Sequence, residues 1–352
     1  MSHLEERMEA DLNHIRDWLW KIGEDVENAL RNAKKTLLLR DAELACQTVL
    51  GDYPINRESR ECDRLCHLFI ARFLPGAGHL REMASTIRVN VALERIGDYA
   101  VTMSREALQL EGPLPEKFSL RLDELADEAI MVLSESRRAF RDGNPDRAMV
   151  LMKMARGIEA KMDPIYEELF AADDRMDART MMVVFVMFSM LKRVADQAKN
   201  ICDQTVFFVR GIAKIPKTFH ILFLDQPGSG AGQLAVAIGR KYHAGSAQFA
   251  VAAPGSAQAP DPALTEFLAT TGLPHEDLDT EPLAALAHDF ADYTLLISLA
   301  GEVADYVPKV PFHSSALNWS VPEGQDRTAQ YRYLREQINE LLTLLAGEHA
   351  QD

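Results

Sequence analysis

Two acidic side chains four residues apart, Glu94 and Asp98, are the first candidates for chemistry in this chain of 352 residues. The apolar residues of the same segment step by three and four, which predicts an amphipathic helix that packs along that stripe. Glu94 and Asp98 fall on the opposite side, one turn apart, where like charges repel by about 0.2–0.5 kcal/mol. Such a pair is either a solvated helix face or a site for a hard or borderline cation, whose charge turns the repulsion into ligation.

A second candidate is the glycine-rich segment that follows the apolar run 220–225. The run is suited to a buried parallel strand, and a helix from Gln233 to Tyr242 is expected after the loop. A strand, a glycine-rich loop and a helix N-terminus form an anion cradle in many folds. The loop lacks the Gly-Lys-Ser/Thr ending of a nucleoside-triphosphate site, and its spacing does not fit the dinucleotide fingerprint. The residues expected to form the cradle are Asp225, Gly228, Ser229, Gly230 and Gly232.

The acidic helix belongs to a stretch of sequence that occurs twice, 98 residues apart. The matched positions are Arg95 with Arg193, Asp98 with Asp196, and Ala100 with Ala198. A repeat at a fixed spacing indicates a duplicated unit. We therefore predict that residues 1–213 form two similar three-helix units packed side by side.

The elements that must position these residues follow from the hydrophobic pattern. Helices are expected at about 3–40, 41–73 and 79–110 in the first repeat, and at 116–142, 145–172 and 177–211 in the second. Pro54 and Pro164 predict a kink or an irregular first turn in the two middle helices.

Beyond a linker at 214–217 the pattern changes to alternating strands and helices. Strands are expected at 220–225, 249–253 and 294–299, and a last helix at about 326–345. The predicted fold class is multidomain, with an all-α N-terminal part of two repeated three-helix bundles followed by a small α/β domain with a parallel sheet. The predicted domains are residues 1–112, 113–213 and 219–347.

Composition restricts the function classes. The net charge is −15, with 53 acidic against 38 basic residues, which argues against a nucleic-acid surface. Four cysteines do not make a disulfide framework, and Cys62 and Cys66 share a spacing that predicts helix core. The longest apolar run, 181–191, is too short to span a bilayer, and the N-terminus is polar and acidic. We therefore expect a cytoplasmic protein without a transmembrane segment.

Three motifs in order resemble the PhoU family of phosphate-signalling regulators over residues 1–213. They are Asp-Tyr-Pro-Ile-Asn at 52–56, Pro-Gly-Ala-Gly-His-Leu-Arg at 75–81 and Glu-Arg-Ile-Gly-Asp at 94–98. Residues 159–163 and 192–196 are weaker second copies of the first and third motifs. The resemblance implies metal ligation, by iron or zinc or else magnesium, at Asp52, Asn56, Glu94, Asp98, Glu159, Asp163 and Asp196.

The resemblance also implies a regulatory role. The family represses phosphate-starvation signalling between the ATPase subunit of a phosphate-specific ABC transporter and a membrane sensor histidine kinase. It implies a homodimer that is cytoplasmic or held at the inner face of the membrane by its partners. In the second repeat Lys192 replaces the signature glutamate, so we expect it to pair with Asp196 and to lower metal occupancy there.

Residues 219–347 resemble the low-molecular-weight tyrosine phosphatases and their arsenate-reductase relatives. The resemblance lies in the first strand and loop, in the run 293–300 and in Asn-Trp-Ser-Val-Pro-Glu-Gly at 318–324. That chemistry needs a cysteine thiolate, an arginine and an aspartic acid, whose aligned positions here hold Asp225, Ala231 and Glu323. No cysteine follows Cys202, so the cysteine-dependent reaction is not available to this chain.

Two classes of function follow. In the first, which we favour, the chain is not an enzyme: it is a PhoU-like regulator that carries a catalytically inactive phosphatase-like domain. In the second it is a metal-assisted phosphatase or a phosphate-binding enzyme with displaced catalytic residues. For the cradle itself, Asp225 either caps the following helix over an empty loop or faces a bound ligand. Without a nearby arginine or lysine, and with Asp225 repelling it, free phosphate is expected to bind weakly.

Overall fold

The computed structural model describes residues 3–170, 176–212, 218–286, 290–311, 314–322 and 326–347. The chain divides into two compact units, Met1–Lys214 and Ile215–Asp352. Each unit is built around hydrophobic clusters of its own.

The described part of the first unit is helical. Its helices are α1 His3–Leu39, α2 Ala42–Phe73, α3 Ala77–Ala107, α4 Glu116–Arg141, α5 Pro145–Ala160, α6 Met162–Phe170 and α7 Ala178–Arg210. Side-chain caps mark several of the helix starts, because an oxygen of Asp41, Asn144 or Asp177 accepts a backbone N–H of the first turn. At the other end α2 stops at Leu74 and α7 at Gly211, both in the left-handed conformation.

The helices pack as two bundles of the same kind. Helices α1, α2 and α3 pack against one another, and α4 and α5 pack against each other and against α7. The bundles meet where α3 packs on α7 and α1 packs on α4. One continuous core runs through both, with Leu93, Ile96 and Ala100 of α3 buried as are Leu191, Val194 and Ala198 of α7. The predicted all-α pair of three-helix bundles is confirmed.

Details of the middle helices differ between the repeats. Pro54 lies well inside α2, which is continuous, so the expected irregular first turn is absent from this helix. In the second repeat the predicted helix 145–172 is interrupted at Lys161, three residues before Pro164. This break fits the prediction, because proline cannot donate to the ladder and clashes with the preceding turn. The linker 214–217 lies outside the described residues.

The second unit is an α/β structure. Its elements are β1 Phe219–Leu224, α8 Ala231–His243, β2 Ala247–Ala253, α9 Pro262–Thr270, β3 Glu281–Pro282, β4 Leu295–Ser298, α10 Val303–Tyr306, β5 Ser315–Asn318 and α11 Arg327–Ala346. In the described residues the sheet has five parallel strands in the order β3-β2-β1-β4-β5. The predicted parallel α/β fold is confirmed.

The strand order fixes where a ligand can bind in this unit. Chain order runs outward from β1 to β2 and β3 on one side, and then from β4 to β5 on the other. The reversal places a topological switch point between β1 and β4, where open parallel sheets bind ligands beyond the carboxyl ends of their strands. Asp225 and Leu299 follow directly after these two strands. None of the described helices is both long and apolar enough to cross a membrane.

Candidate functional site

The acidic site of the first repeat lies between α2 and α3. Asp52 and Asn56 are one turn apart on α2, and the Asn56 Nδ2 donates to Asp52 Oδ2 at 2.6 Å. The Asp52 carboxylate lies against Gly97 of α3, where a β-carbon would stand 3.2 Å from its Oδ1. Glycine at this position therefore lets a carboxylate on α2 approach the backbone of α3 between Glu94 and Asp98.

The three carboxylates at this place act on one another electrostatically. Burial, and after it the charge of Asp98, raises the pKa of Asp52. Burial, and after it the charges of Asp98 and Asp52, raises the pKa of Glu94. Proximity of like charges disfavours ionisation of Asp52 and Glu94, and a cation bound between them would relieve that repulsion.

Two oxygens of this cluster have no hydrogen-bond partner although both are buried: Asp52 Oδ1 and Asn56 Oδ1. A buried acceptor without a donor costs about 1–3 kcal/mol, so orphaned acceptors side by side are uncommon. A metal ion would satisfy both. The donor set of Asp52, Asn56, Glu94 and Asp98 consists of oxygen alone, which suits hard cations best and also accommodates zinc.

The candidate side chains lie near one another but are not arranged as a metal centre. Among the described residues, no three His, Cys, Asp or Glu side chains are grouped so as to hold a metal ion. Asp98 is exposed and Glu94 half-buried, so both are free to change rotamer, whereas Asp52 is fixed by Asn56 and Gly97. Ligation of one ion thus requires α3 side chains to rotate toward α2.

The second repeat has an ion pair at the positions that correspond to the acidic cluster of the first. Lys192 Nζ lies 3.0 Å from Glu159 Oε1. The expected pair of Lys192 with Asp196 is therefore wrong as the primary contact. Burial raises the pKa of Asp196, and the charge of Lys192 opposes that shift without overcoming it. Glu159 lies on α5 and Lys192 on α7, so the spacing of residues within α7 could not predict this ion pair. The side chain of Asp163, the remaining predicted ligand, lies outside the described residues.

In the second unit, the Asp225 carboxylate is hydrogen-bonded to backbone N–H groups of the glycine-rich segment that follows it. This carboxylate is buried, and its Oδ1 accepts the Gln226 N–H while its Oδ2 accepts the Gly232 N–H, each at 2.7 Å. Gly232 is in the first turn of α8, whose N-cap Gly230 has no side chain to offer. Asp225 therefore caps the helix from the end of β1, which is the first of the two interpretations of this loop.

Burial is the main influence on the Asp225 carboxyl and raises its pKa. The backbone donors, the Ser229 hydroxyl and the charge of Arg327 oppose that shift without overcoming it. Because both carboxylate oxygens are engaged by the loop, the amides that could cradle a phosphate already have an anionic partner. Of the predicted loop residues, Gly228 and Gly230 supply left-handed turns (φ 76° and 72°).

Arg327, at the start of α11, reaches this loop and was not predicted from the sequence. Its Nη1 donates to the Ser229 carbonyl at 2.7 Å, and its Nη2 lies 3.3 Å from Asp261 Oδ2. The sequence did hold a weak signal for this contact. A cation in the first turn of a helix is unfavourable next to the positive end of the helix dipole, so an arginine at that position suggests a contact outside the helix. The expectation of a loop without a nearby arginine is therefore wrong.

A polar cavity of about 790 Å³ opens beside the loop at the switch point. Gln226 and Ser229 form one wall, Gly301 and Glu302 another, and Asn318–Pro322 with Arg327 close it. Glu323, aligned with the general acid of the phosphatases, lies outside the described residues. The aligned nucleophile position is filled by Asp225 and the aligned arginine position by Ala231, whose backbone N–H donates to Ser229 Oγ at 3.3 Å.

With the geometry described, comparison with known proteins identifies the first unit. The PhoU domain family matches residues 19–107 and 122–205. The helical unit is a tandem pair of PhoU domains. The two matches correspond to the two bundles, as the internal repeat predicted.

Characterised relatives match the same part of the chain. The phosphate-specific transport system accessory protein PhoU homolog of Pseudomonas putida is 29% identical over 214 residues, covering 59% of this chain and 83% of that protein. The accessory protein PhoU of Escherichia coli K12 is 25% identical over 212 residues, covering 60% of this chain and 88% of that protein.

Two solved PhoU structures have the fold of the helical unit. The crystal structure of PhoU from Pseudomonas aeruginosa aligns with a TM-score of 0.56 and 26% identity, covering 58% of this chain and 99% of that one. PhoU from Streptococcus pneumoniae aligns with a TM-score of 0.55 and 22% identity, covering 59% of this chain and 99% of that one. An arsenate reductase in the phosphate binding state aligns with the C-terminal part at a TM-score of 0.31 and 16% identity, covering 37% of this chain and all of that one.

Proposed function

We propose that the chain regulates phosphate uptake and phosphate-starvation signalling through protein contacts and not by turnover. The observation that carries this proposal is the tandem of PhoU domains, the part shared with accessory proteins of phosphate-specific transport systems. The chain covers 83% and 88% of those two relatives, so most of their length is matched here.

The partners we propose are the ATPase subunit of a phosphate-specific ABC transporter and a sensor histidine kinase of the phosphate-starvation system. The chain would contact both partners in the cytoplasm, and these contacts would hold it at the inner face of the membrane. We further propose that it works as a homodimer. The net charge of −15 supports protein partners over nucleic acid, because a strongly acidic surface repels phosphate backbones.

We propose that the first-repeat cluster holds a cation, iron or zinc, with magnesium as the alternative. Asp52, Asn56, Glu94 and Asp98 would hold it, since two orphaned buried oxygens and mutually repelling carboxylates meet there. When bound, the ion supplies positive charge that neutralises the cluster. Glu159, Asp163 and Asp196 of the second repeat are proposed as a weaker site, because the Lys192 ammonium already pairs with Glu159.

The α/β unit is proposed to be a catalytically inactive, phosphatase-like binding domain. A carboxylate could in principle accept a phosphoryl group, but Asp225 is buried with both oxygens held by backbone donors. Arg327 is likewise committed to the Ser229 carbonyl and to Asp261. Asp225 is therefore not placed to attack a phosphate, and Arg327 is not free to bind one. The metal-assisted phosphatase is for this reason the less favoured function.

A phosphate-starvation reporter in the native host tests the regulatory role. Deletion of the gene should leave the reporter on in high phosphate, and the full chain should restore repression and retain the transporter ATPase in a pull-down. A reporter indifferent to deletion, together with no ATPase recovered, would refute it.

Metal content tests the site separately. The Glu94→Ala/Asp98→Ala double variant should lose most of the bound metal, whereas Glu5→Ala/Glu9→Ala, an acidic pair four apart on α1, should retain it. Unchanged metal in the first double variant rules out the assignment. If instead the wild-type protein hydrolyses an aryl phosphate, and Asp225→Asn lowers that rate, the chain is an enzyme.

A further inference from the structure

A cavity of about 250 Å³ lies in the helical unit where the two repeats meet. Helices α1 and α3 of the first repeat form one side, and α4 with α7 forms the other. It is separate from the acidic clusters and from the loop of the α/β unit. Its size is close to that of small-molecule sites, which are concave, mostly apolar and furnished with a few polar groups.

The interior of this seam cavity is apolar and rigidly built. Leu19, Val89, Leu93, Phe140 and Phe208 line it, all but Phe208 being buried. The centroids of the Phe140 and Phe208 rings lie 5.9 Å apart at an interplanar angle of 53°, so two aromatic rings contact each other in the wall of the cavity. An apolar or aromatic body of matching size would therefore gain contacts on several sides.

Cations surround the mouth, but two of the three are already neutralised. Arg16 Nε donates to Glu82 Oε1 at 2.6 Å. Arg137 is buried, pairs with Glu27 and donates through Nη2 to the Trp20 carbonyl at 2.8 Å. Their charges are thus balanced within the wall of the seam cavity.

Arg141 is the third and differs from the others. Its guanidinium lies 4.5 Å from the centroid of the Trp20 ring, and Arg137 lies 4.4 Å from the same centroid. Within the described ranges Arg141 has no carboxylate at ion-pair distance, although the neighbouring Asp142 also lines the mouth. Arg141 is exposed, so a guanidinium held by the ring and without an anionic partner is suited to bind an oxyanion.

We propose that the seam cavity binds a small amphipathic monoanion, with an aromatic or short aliphatic body in the apolar interior and one carboxylate or sulfonate at Arg141. Such a ligand touches both repeats at once. The site goes beyond the proposed regulatory function and does not depend on it.

A pair of fluorescent probes tests the chemistry directly on the full chain. 8-Anilinonaphthalene-1-sulfonate carries one anionic group, and N-phenyl-1-naphthylamine is its neutral counterpart of similar shape. Saturable binding of one sulfonate probe per chain is expected, with weaker binding of the neutral probe. Arg141→Gln should weaken the sulfonate about fivefold, or ~1 kcal/mol, and leave the neutral probe nearly unchanged.

Two further variants locate the site. Leu19→Phe adds volume to the interior and should weaken both probes. Arg138→Gln, three residues before Arg141 on α4, should change neither, because Arg138 is paired with Glu135 and does not line the cavity. Far-UV circular dichroism confirms that each variant is folded. Absence of saturable binding, a neutral probe that binds as well as the sulfonate, or wild-type affinity in both Arg141→Gln and Leu19→Phe would each overturn the proposal.

Discussion

Replacing Gly23 by alanine should destabilise the helical unit, although the same change usually stabilises a helix. Gly23 is buried within α1, and a β-carbon there would stand 2.5 Å from Cζ and 2.7 Å from Nη2 of Arg137. Real β-carbons do not approach other heavy atoms so closely, so the guanidinium would have to move. It cannot move freely, because it is buried between Glu27 and the Trp20 ring.

The magnitude follows from two opposing effects. Alanine is better than glycine in a helix interior by about 1 kcal/mol. Displacement of Arg137 breaks a buried ion pair, which costs about 3–5 kcal/mol when one charge is left without its partner. The net expectation is a loss of about 2–4 kcal/mol in the free energy of unfolding, since the second effect is the larger.

Gly51 and Gly157 provide matched controls. Both lie inside helices, and a β-carbon at either would meet nothing within 4 Å. Gly51→Ala and Gly157→Ala should therefore stabilise by about 0.5–1 kcal/mol. Urea unfolding followed by far-UV circular dichroism measures all three, with the two units fitted as separate transitions.

A double-mutant cycle identifies the cause. In an Arg137→Met background the obstructing guanidinium is gone, so Gly23→Ala should become neutral or stabilising. If Gly23→Ala alone is as stable as Gly51→Ala, or if its cost persists in the Arg137→Met background, the reasoning from this contact is refuted.

Three more predictions use other features of the two units. Burial and the charge of Glu58 raise the pKa of Asp25 above 3.8, so ionisation of Asp25 lowers the stability of the fold as the pH rises through that raised pKa. Asp25→Asn should therefore raise the melting temperature at neutral pH, and thermal melts at a series of pH values should show this gain vanishing below pH 3.8. Asp225→Ala should destabilise the α/β unit by about 2 kcal/mol in urea, because it leaves the Gly232 N–H uncapped; equal stability would contradict the capping role. Leu74→Gly should stabilise by about 0.5–1 kcal/mol, because Leu74 is 85% exposed with φ 44°, and a lower unfolding midpoint would disprove strain there.

Helices were predictable because their signal is local and repeated. In α3 and α7, apolar side chains recur every three or four residues over more than 30 residues, and the structure buries that stripe in both. The missed strands carry no such signal. β3 is the dipeptide Glu281–Pro282, and every residue of β5, Ser315–Asn318, is exposed, so neither shows an apolar run.

The polar contacts of the sites were less predictable because they join distant parts of the chain. Spacing within one helix favoured Lys192 with Asp196, but packing of α5 on α7 brings Glu159 closer. Arg327 meets the loop at Ser229 only because α11 begins beside the switch point. The placement of Asp52 against Gly97 was likewise set by how α2 packs on α3.

The carboxylate of Asp225 gives the α/β unit a built-in substitute for a bound oxyanion. In a loop that waits for phosphate, the order of the loop follows the concentration of that ligand, because binding stabilises only the occupied form. Here the substitute is covalently part of the chain and holds the N–H groups of Gln226 and Gly232 at all times. The shape of this part of the loop therefore does not depend on a bound phosphate. If the chain regulates phosphate uptake as proposed, a change in phosphate supply reaches it through the helical unit or through its protein partners.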